Sequence, residues 1–151
     1  MSMQFTQNKT LQEFDRLNRL VNELYHEIAV KQGISDSAYS ILQAMLILGN
    51  GNTQTDICKY TCLNKQTVNS SVKKLKQNGL IEFHQGNGRK MKIYLTSKGK
   101  DFINENILPI EQAENEVFDE MTIQEQREIL RLIENYLSSF RHKIDKLQGE
   151  K

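Results

Sequence analysis

The chain has 151 residues, of which 38% are hydrophobic and 26% charged, with a formal net charge of +1. That length suits one compact domain with a sizeable core, and no apolar run approaches the roughly 20 residues of a membrane span, so no membrane partner is expected. The opening MSMQFTQNKT lacks the basic-then-apolar order of a signal peptide, and with only two cysteines the expected setting is a reducing cytoplasm.

The first predicted helix opens at Thr10, where Thr10 and Glu13 have capping-box spacing. Its apolar residues, Leu11, Phe14, Leu17, Leu20, Val21, Leu24, Tyr25 and Ile28, form a stripe wider than a terminal helix of one small domain needs. Such a stripe can face its own domain and a partner chain together. Gln32-Gly33 ends it. Ser35 caps a second helix, through about Leu48, that is apolar around most of its circumference and hence central. Gly49-Asn50-Gly51-Asn52 breaks the chain.

Thr53 caps a third helix, with Asp56 at its third position to suit the helix dipole. After a turn at Cys62-Leu63, Asn64 caps a fourth helix, whose buried face is Val68, Val72 and Leu75. Its other face carries Lys65, Gln66, Thr67, Asn69, Ser70, Lys73 and Lys74, none of them acidic. A helix so equipped suits the major groove of DNA. Asn78-Gly79 stops it, with Gly79 in the left-handed conformation. Leu80-Ile81-x-Phe83 and Met91-x-Ile93-x-Leu95 alternate as half-buried strands do, joined by a hairpin tip at Gly86-Asn87-Gly88 that brings forward Arg89 and Lys90.

Thr96 caps a further helix from about Ser97, in which Gly99 permits close packing and Pro109 predicts a bend or break. The last helix starts at Thr122, with Glu125 completing a capping box. Its stripe runs through Ile129, Leu130, Ile133, Tyr136, Leu137, Phe140 and Ile144, and the polar end from Asp145 is expected to fray.

Charge divides along the chain. Residues 59–92 hold eight Lys and Arg against the single acid Glu82, a balance of +7; the remaining twelve basic and eighteen acidic residues leave −6 elsewhere. A basic segment on an otherwise acidic protein is the footprint of a nucleic-acid binder, and the hairpin tip adds cations away from the helix, which a merely solvated Lys-rich helix does not require.

The stretch Thr53-Gln54-x-Asp56-Ile57-Cys58, Lys65-Gln66-Thr67-Val68-Asn69-Ser70, Leu75-x-x-x-Gly79-Leu80-Ile81, Arg89-Lys90 and Leu95-Thr96-x-x-Gly99 resembles the winged helix-turn-helix of the MarR family of bacterial transcription regulators. The resemblance implies a mainly α fold of the α+β kind. It also implies that residues 1–33 form an N-terminal dimerisation helix, residues 34–96 the DNA-binding lobe, and residues 97–151 the C-terminal dimerisation helices, all within one compact domain. It implies a homodimeric DNA-binding regulator, a repressor more readily than an activator, acting on an inverted-repeat operator. The residues it assigns to DNA are Thr53, Gln54, Lys65, Gln66, Thr67, Asn69, Ser70, Lys73, Lys74, Arg89 and Lys90. The apolar stripes of the flanking helices assign to the dimer Leu11, Phe14, Leu17, Ile133, Leu137, Phe140 and Ile144. A small-molecule effector is implied between dimer region and DNA lobe, with Tyr25, His26 and Tyr39 as pocket candidates against the plainer reading that they are core or surface.

Departures from the family pattern are Cys58 for the usual Ala, Cys62 for the usual Gly, Thr61 and Ser71 at commonly apolar positions, and Asn87 where the wing commonly has Asp. Thr61 and Ser71 either loosen the motif or form local hydrogen bonds. No metal, cofactor or catalytic site is expected: Cys58 and Cys62 lack two further ligands nearby, the three His are scattered, and no phosphate loop or Ser elbow occurs. Peroxide sensing by cysteine is a rival, but relatives that do so use an N-terminal cysteine, and this chain has none there. Besides regulation, a winged-helix protein-interaction module and a non-specific chromosome-binding protein stand as alternatives.

Overall fold

A computed structural model describes residues 5–149. In order the elements are α1 (Lys9–Lys31), α2 (Asp36–Leu48), α3 (Gln54–Thr61), α4 (Lys65–Gln77), β1 (Ile81–Gln85), β2 (Met91–Leu95), α5 (Ser97–Phe102), a π-helical turn (Ile103–Ile107), α6 (Leu108–Glu120) and α7 (Ile123–Gly149). The fold is thus mainly helical with one two-stranded antiparallel sheet, the winged-helix architecture expected. The chain forms two compact units, the first through Leu108 and the second from Pro109.

The first unit is built around α2. Ala38, Tyr39, Ile41, Leu42, Ala44 and Met45 are all buried on it, and α1, α3 and α4 pack against it. Ile57 of α3, Val68, Val72 and Leu75 of α4, Ile81 and Ile93 of the strands, and Ile103 and Ile107 complete the core. Helix α1 lends only Ala29 to full burial; Leu17, Leu20, Val21 and Leu24 remain about half exposed.

The strands pair with Ile81 opposite Leu95, Phe83 opposite Ile93 and Gln85 opposite Met91. Alternation puts Ile81, Phe83 and Ile93 on the core face and Glu82, His84, Lys92 and Tyr94 on the other. The break at 49–52 is itself tied to β2: Gly51 N–H donates to Ile93 C=O at 2.9 Å and Ile93 N–H to Asn52 C=O at 2.8 Å. The sheet seats on α5 by a close approach. A Cβ on Gly99 would lie 1.9 Å from the Leu80 carbonyl oxygen, so only glycine fits there.

In the second unit, α6 and α7 bury no residue. Thr122 and Glu125 form the expected capping box, with Thr122 N–H to Glu125 at 2.8 Å and Glu125 N–H to Thr122 Oγ1 at 3.2 Å.

Three expectations are corrected. The first helix is capped by Asn8, whose side-chain oxygen accepts from Leu11 N–H at 3.1 Å, two residues before Thr10; Glu13 turns forward to Arg16 instead. Asn caps as well as Thr does, and the earlier site gains a further half-turn of helix. Of the bend or break expected at Pro109, the break does not occur. The chain stays helical from Ser97 to Glu120, with the π-helical turn placed just before the proline. There Leu108 N–H reaches Ile103 C=O, and the Asn106 side chain donates to Phe102 C=O at 3.0 Å. A wider turn and a side-chain donor thus absorb the local mismatch that proline brings to an α-helical ladder. Finally, α7 continues past Asp145 to Gly149; residues 150–151 lie outside the described residues.

Candidate nucleic-acid interface

Helix α3 is fixed at its start by a full capping box. Thr53 N–H donates to the Asp56 carboxylate at 2.8 Å and Asp56 N–H donates back to Thr53 Oγ1 at 3.2 Å. These bonds, foremost the Thr53 backbone N–H and then its hydroxyl, hold the Asp56 carboxyl below the usual range, with smaller help from Lys59 and Lys90. Thr53 and Gln54 are half-buried there.

The turn into α4 uses Cys62 at φ 57°, the one left-handed non-glycine among the described residues. Glycine would adopt this conformation freely, which is the physical reason the pattern favours it. Thr61 compensates locally. Its hydroxyl donates to Ile57 C=O at 2.7 Å and accepts from Leu63 N–H at 3.3 Å. Asn64 then caps α4 by accepting from Thr67 N–H at 2.8 Å.

On α4, Lys65, Gln66, Ser70, Lys73 and Lys74 are exposed, while Thr67 and Asn69 are half-buried. The face is free of acids along its whole length. Lys76 is spent elsewhere, with its ammonium 5.1 Å from the centre of the Phe83 ring. Glu82, the one acid of the basic segment, is held by His84 at 2.9 Å on the outer face of the sheet. Arg89 and Lys90 are exposed at the hairpin tip, which closes through Gly86 N–H to Lys90 C=O at 3.0 Å, with Gly88 at φ 86°.

Two serines at the start of α2 were not foreseen as part of this region. Ser35 and Ser37 share a hollow of about 340 Å³ with Gln66, Thr67, Ser70, Ser71 and Lys74 of α4. Sequence marked Ser35 only as a cap, and no local pattern tells that the start of one helix will meet the flank of another 34 residues on. Ser71 is hydrogen-bonded, but not locally as expected: its hydroxyl bonds that of Ser37, far away in sequence, at 2.6 Å.

Away from this face, Tyr25, His26 and Tyr39 do come together. They line a cavity of about 430 Å³ between α1 and α2, with Asn22, Asp36, Ser40 and Gln43. His26 Nδ1 lies 2.8 Å from Asp36 Oδ1, and the two tyrosine rings are 5.8 Å apart and tilted by 57°. Cys58 is half-buried and Cys62 exposed, both free. Among the described residues no group of three metal-ligating side chains gathers, and no helix is long and apolar enough to cross a membrane.

Residues 32–90 match the family model described as MarR family. An uncharacterised HTH-type transcriptional regulator of Bacillus subtilis, YwoH, is 24% identical over 96 residues, 64% of this chain and 69% of that protein. Among solved structures, a MarR family regulator from Neisseria meningitidis, NMB1585, superposes with a TM-score of 0.76 at 22% identity, covering 93% of this chain and 99% of its own. The MepR–DNA complex of Staphylococcus aureus matches with a TM-score of 0.69 at 19% identity over 91% of this chain and 99% of that one. The resemblance carried by Thr53 to Gly99 is therefore borne out: residues 32–90 bear the sequence pattern of the MarR family of transcription regulators, and the chain has the fold of its solved members.

Proposed function

We propose that the protein is a homodimeric, sequence-specific DNA-binding repressor of the cytoplasm that reads an inverted-repeat operator. One observation carries this reading. The exposed side of α4 offers lysines at both ends, Gln66 and Ser70 between them, and no acid. Lysines neutralise phosphate, whereas the amide and hydroxyl can hydrogen-bond base edges in a major groove. A protein-interaction surface would be depleted of such charge at its centre. Thr53, Gln54, Arg89 and Lys90 would add contacts on either side of α4, and the chain would act without cofactor or catalysis.

The dimer follows from the apolar residues that one chain leaves open. Leu17 on α1 and Ile133, Leu137 and Phe140 on α7 are 42–58% exposed, more apolar surface than a monomer keeps without purpose. In this reading residues 1–33 and 97–151 of two chains join, with Leu11, Phe14 and Ile144 in the same seam. The two α4 helices then enter successive major grooves roughly 10 base pairs apart. The cavity holding Tyr25, His26 and Tyr39 would accept a small molecule that releases the operator.

A mobility-shift titration at raised salt tests the proposal, comparing duplexes selected by the protein from a random pool with unselected ones. Retention of the selected duplex alone is the expected result. Equal binding to both would mark a non-specific chromosome binder, and no binding a protein-interaction module.

A further inference from the structure

Ser71 is the one polar or charged residue that is buried among the described residues, 6% exposed, and it sits on the apolar face of α4 between Val68, Val72 and Leu75. Its hydroxyl is 2.6 Å from that of Ser37, whose own oxygen is 3.2 Å from Ser35 Oγ. Ser35 Oγ in turn accepts from Ala38 N–H at 3.2 Å as the cap of α2. A chain of three hydroxyls thus runs from the first turn of α2 into its seam with α4. It ends one residue from Ser70, beside Gln66 and Lys74 in the same hollow.

The other buried residues of α4, Val68, Val72 and Leu75, are all apolar. Apolar contact is non-directional, so Val68, Val72 and Leu75 resist separation of the helices better than rotation of α4 about its axis. A hydrogen bond is directional and does resist it. Rotation matters here. Side-chain ends lie about 5–6 Å from a helix axis, so a turn of 15° displaces the reading atoms by roughly 1.5 Å, enough to lose a bidentate base contact.

We infer that Ser71, held by Ser37, is a positioning residue that sets the rotation of α4 and so the discrimination between DNA sequences. This rests on the proposed DNA-reading role of α4. The readout is the ratio of affinities for selected and random duplexes at one salt concentration, with thermal unfolding followed alongside. Ser71→Ala and Ser37→Ala should each lower the ratio by roughly fivefold, with random DNA bound as before. The double variant should fall no further than the worse single, because both break the same bond. Ser37→Thr, which keeps the hydroxyl at the less enclosed end, should retain the wild-type ratio. An unchanged ratio in both alanine variants, equal loss on both duplexes, or additive losses in the double would overturn the inference. A wild-type chain that binds all duplexes alike would instead overturn the proposed function, and this inference with it.

Discussion

Gln66 is exposed on α4 while Asn69 is half-buried, so the two amides differ in reach although both stand on the acid-free side. Each can pair with adenine through both of its major-groove groups. Gln66→Ala should weaken operator binding by roughly 1–3 kcal/mol and leave random DNA almost untouched. Asn69→Ala should cost less than Gln66→Ala, because Asn69 is the less exposed of the two. Equal losses on operator and random duplexes would mean that these side chains touch only the backbone. Gly99 shows the opposite kind of constraint. Gly99→Ala would drive a methyl into the Leu80 carbonyl, whose oxygen already accepts from Thr96 N–H at 3.1 Å. Backbone cannot swing aside as a side-chain end can, so a loss of about 1–3 kcal/mol in denaturant unfolding is expected.

Helix ends and the hairpin tip are the elements on which chemistry and geometry meet. Capping residues were legible from sequence because a cap is a local event: Ser35, Thr53, Asn64, Thr96 and Thr122 all accept the bonds their positions predict. The exception, Thr10, lost to Asn8 because two good caps stood two residues apart. What sequence did not show is long-range, such as the Ser37–Ser71 bond and the tie of Asn52 to Ile93, since periodicity reports which face is buried and not against what. The two capping boxes have a pH signature. Asp56 and Glu125 are both held below their usual range, chiefly by the backbone N–H of Thr53 and of Thr122. A depressed carboxyl stabilises the fold above its unfolded value and loses that as pH falls through the folded one. The melting temperature should therefore hold from pH 7 to 5 and drop below about pH 4. Thr53→Ala should cost roughly 1 kcal/mol at pH 7 and remove the Asp56 share of the acid-side fall. At the tip, Arg89 stands exposed beside Lys90, with Asn87 rather than an acid to brace it. That favours phosphate over the minor groove. Arg89→Ala should weaken binding to all DNA alike and reduce the salt slope by about one per contact, so about two for a dimer. A loss confined to operators with A·T-rich flanks would show minor-groove reading instead.

At the scale of the whole molecule the question is why 27 residues of α7 form an amphipathic helix that buries nothing. Ile133, Leu137 and Phe140 are 42%, 58% and 51% exposed, and the Phe140 ring stacks on Tyr136 at 5.9 Å. Helix propensity alone does not demand an apolar stripe; burial does, and among the described residues no side chain of α7 is buried. A second copy presenting the same stripe is the simplest partner, because a two-fold interface joins a surface to itself. Phe140→Asp tests this at one position. Within a single chain the residue is already half in water, so a carboxylate there leaves the lobe's own core intact. In a dimer seam the same charge would lie unpaired among apolar side chains, on top of losing a ring whose removal from a core costs about 3–5 kcal/mol. Light scattering should therefore find dimer for the wild type and monomer for Phe140→Asp. Operator affinity should fall to the level of one half-site, since the second lobe is no longer tethered. Ile57→Asp serves as the contrast: Ile57 is fully buried within the lobe, and its replacement should unfold that lobe rather than divide the dimer. Near-native circular dichroism with a halved mass for Phe140→Asp would separate the two effects. A folded Phe140→Asp dimer of normal operator affinity would mean that α7 meets its partner through another face.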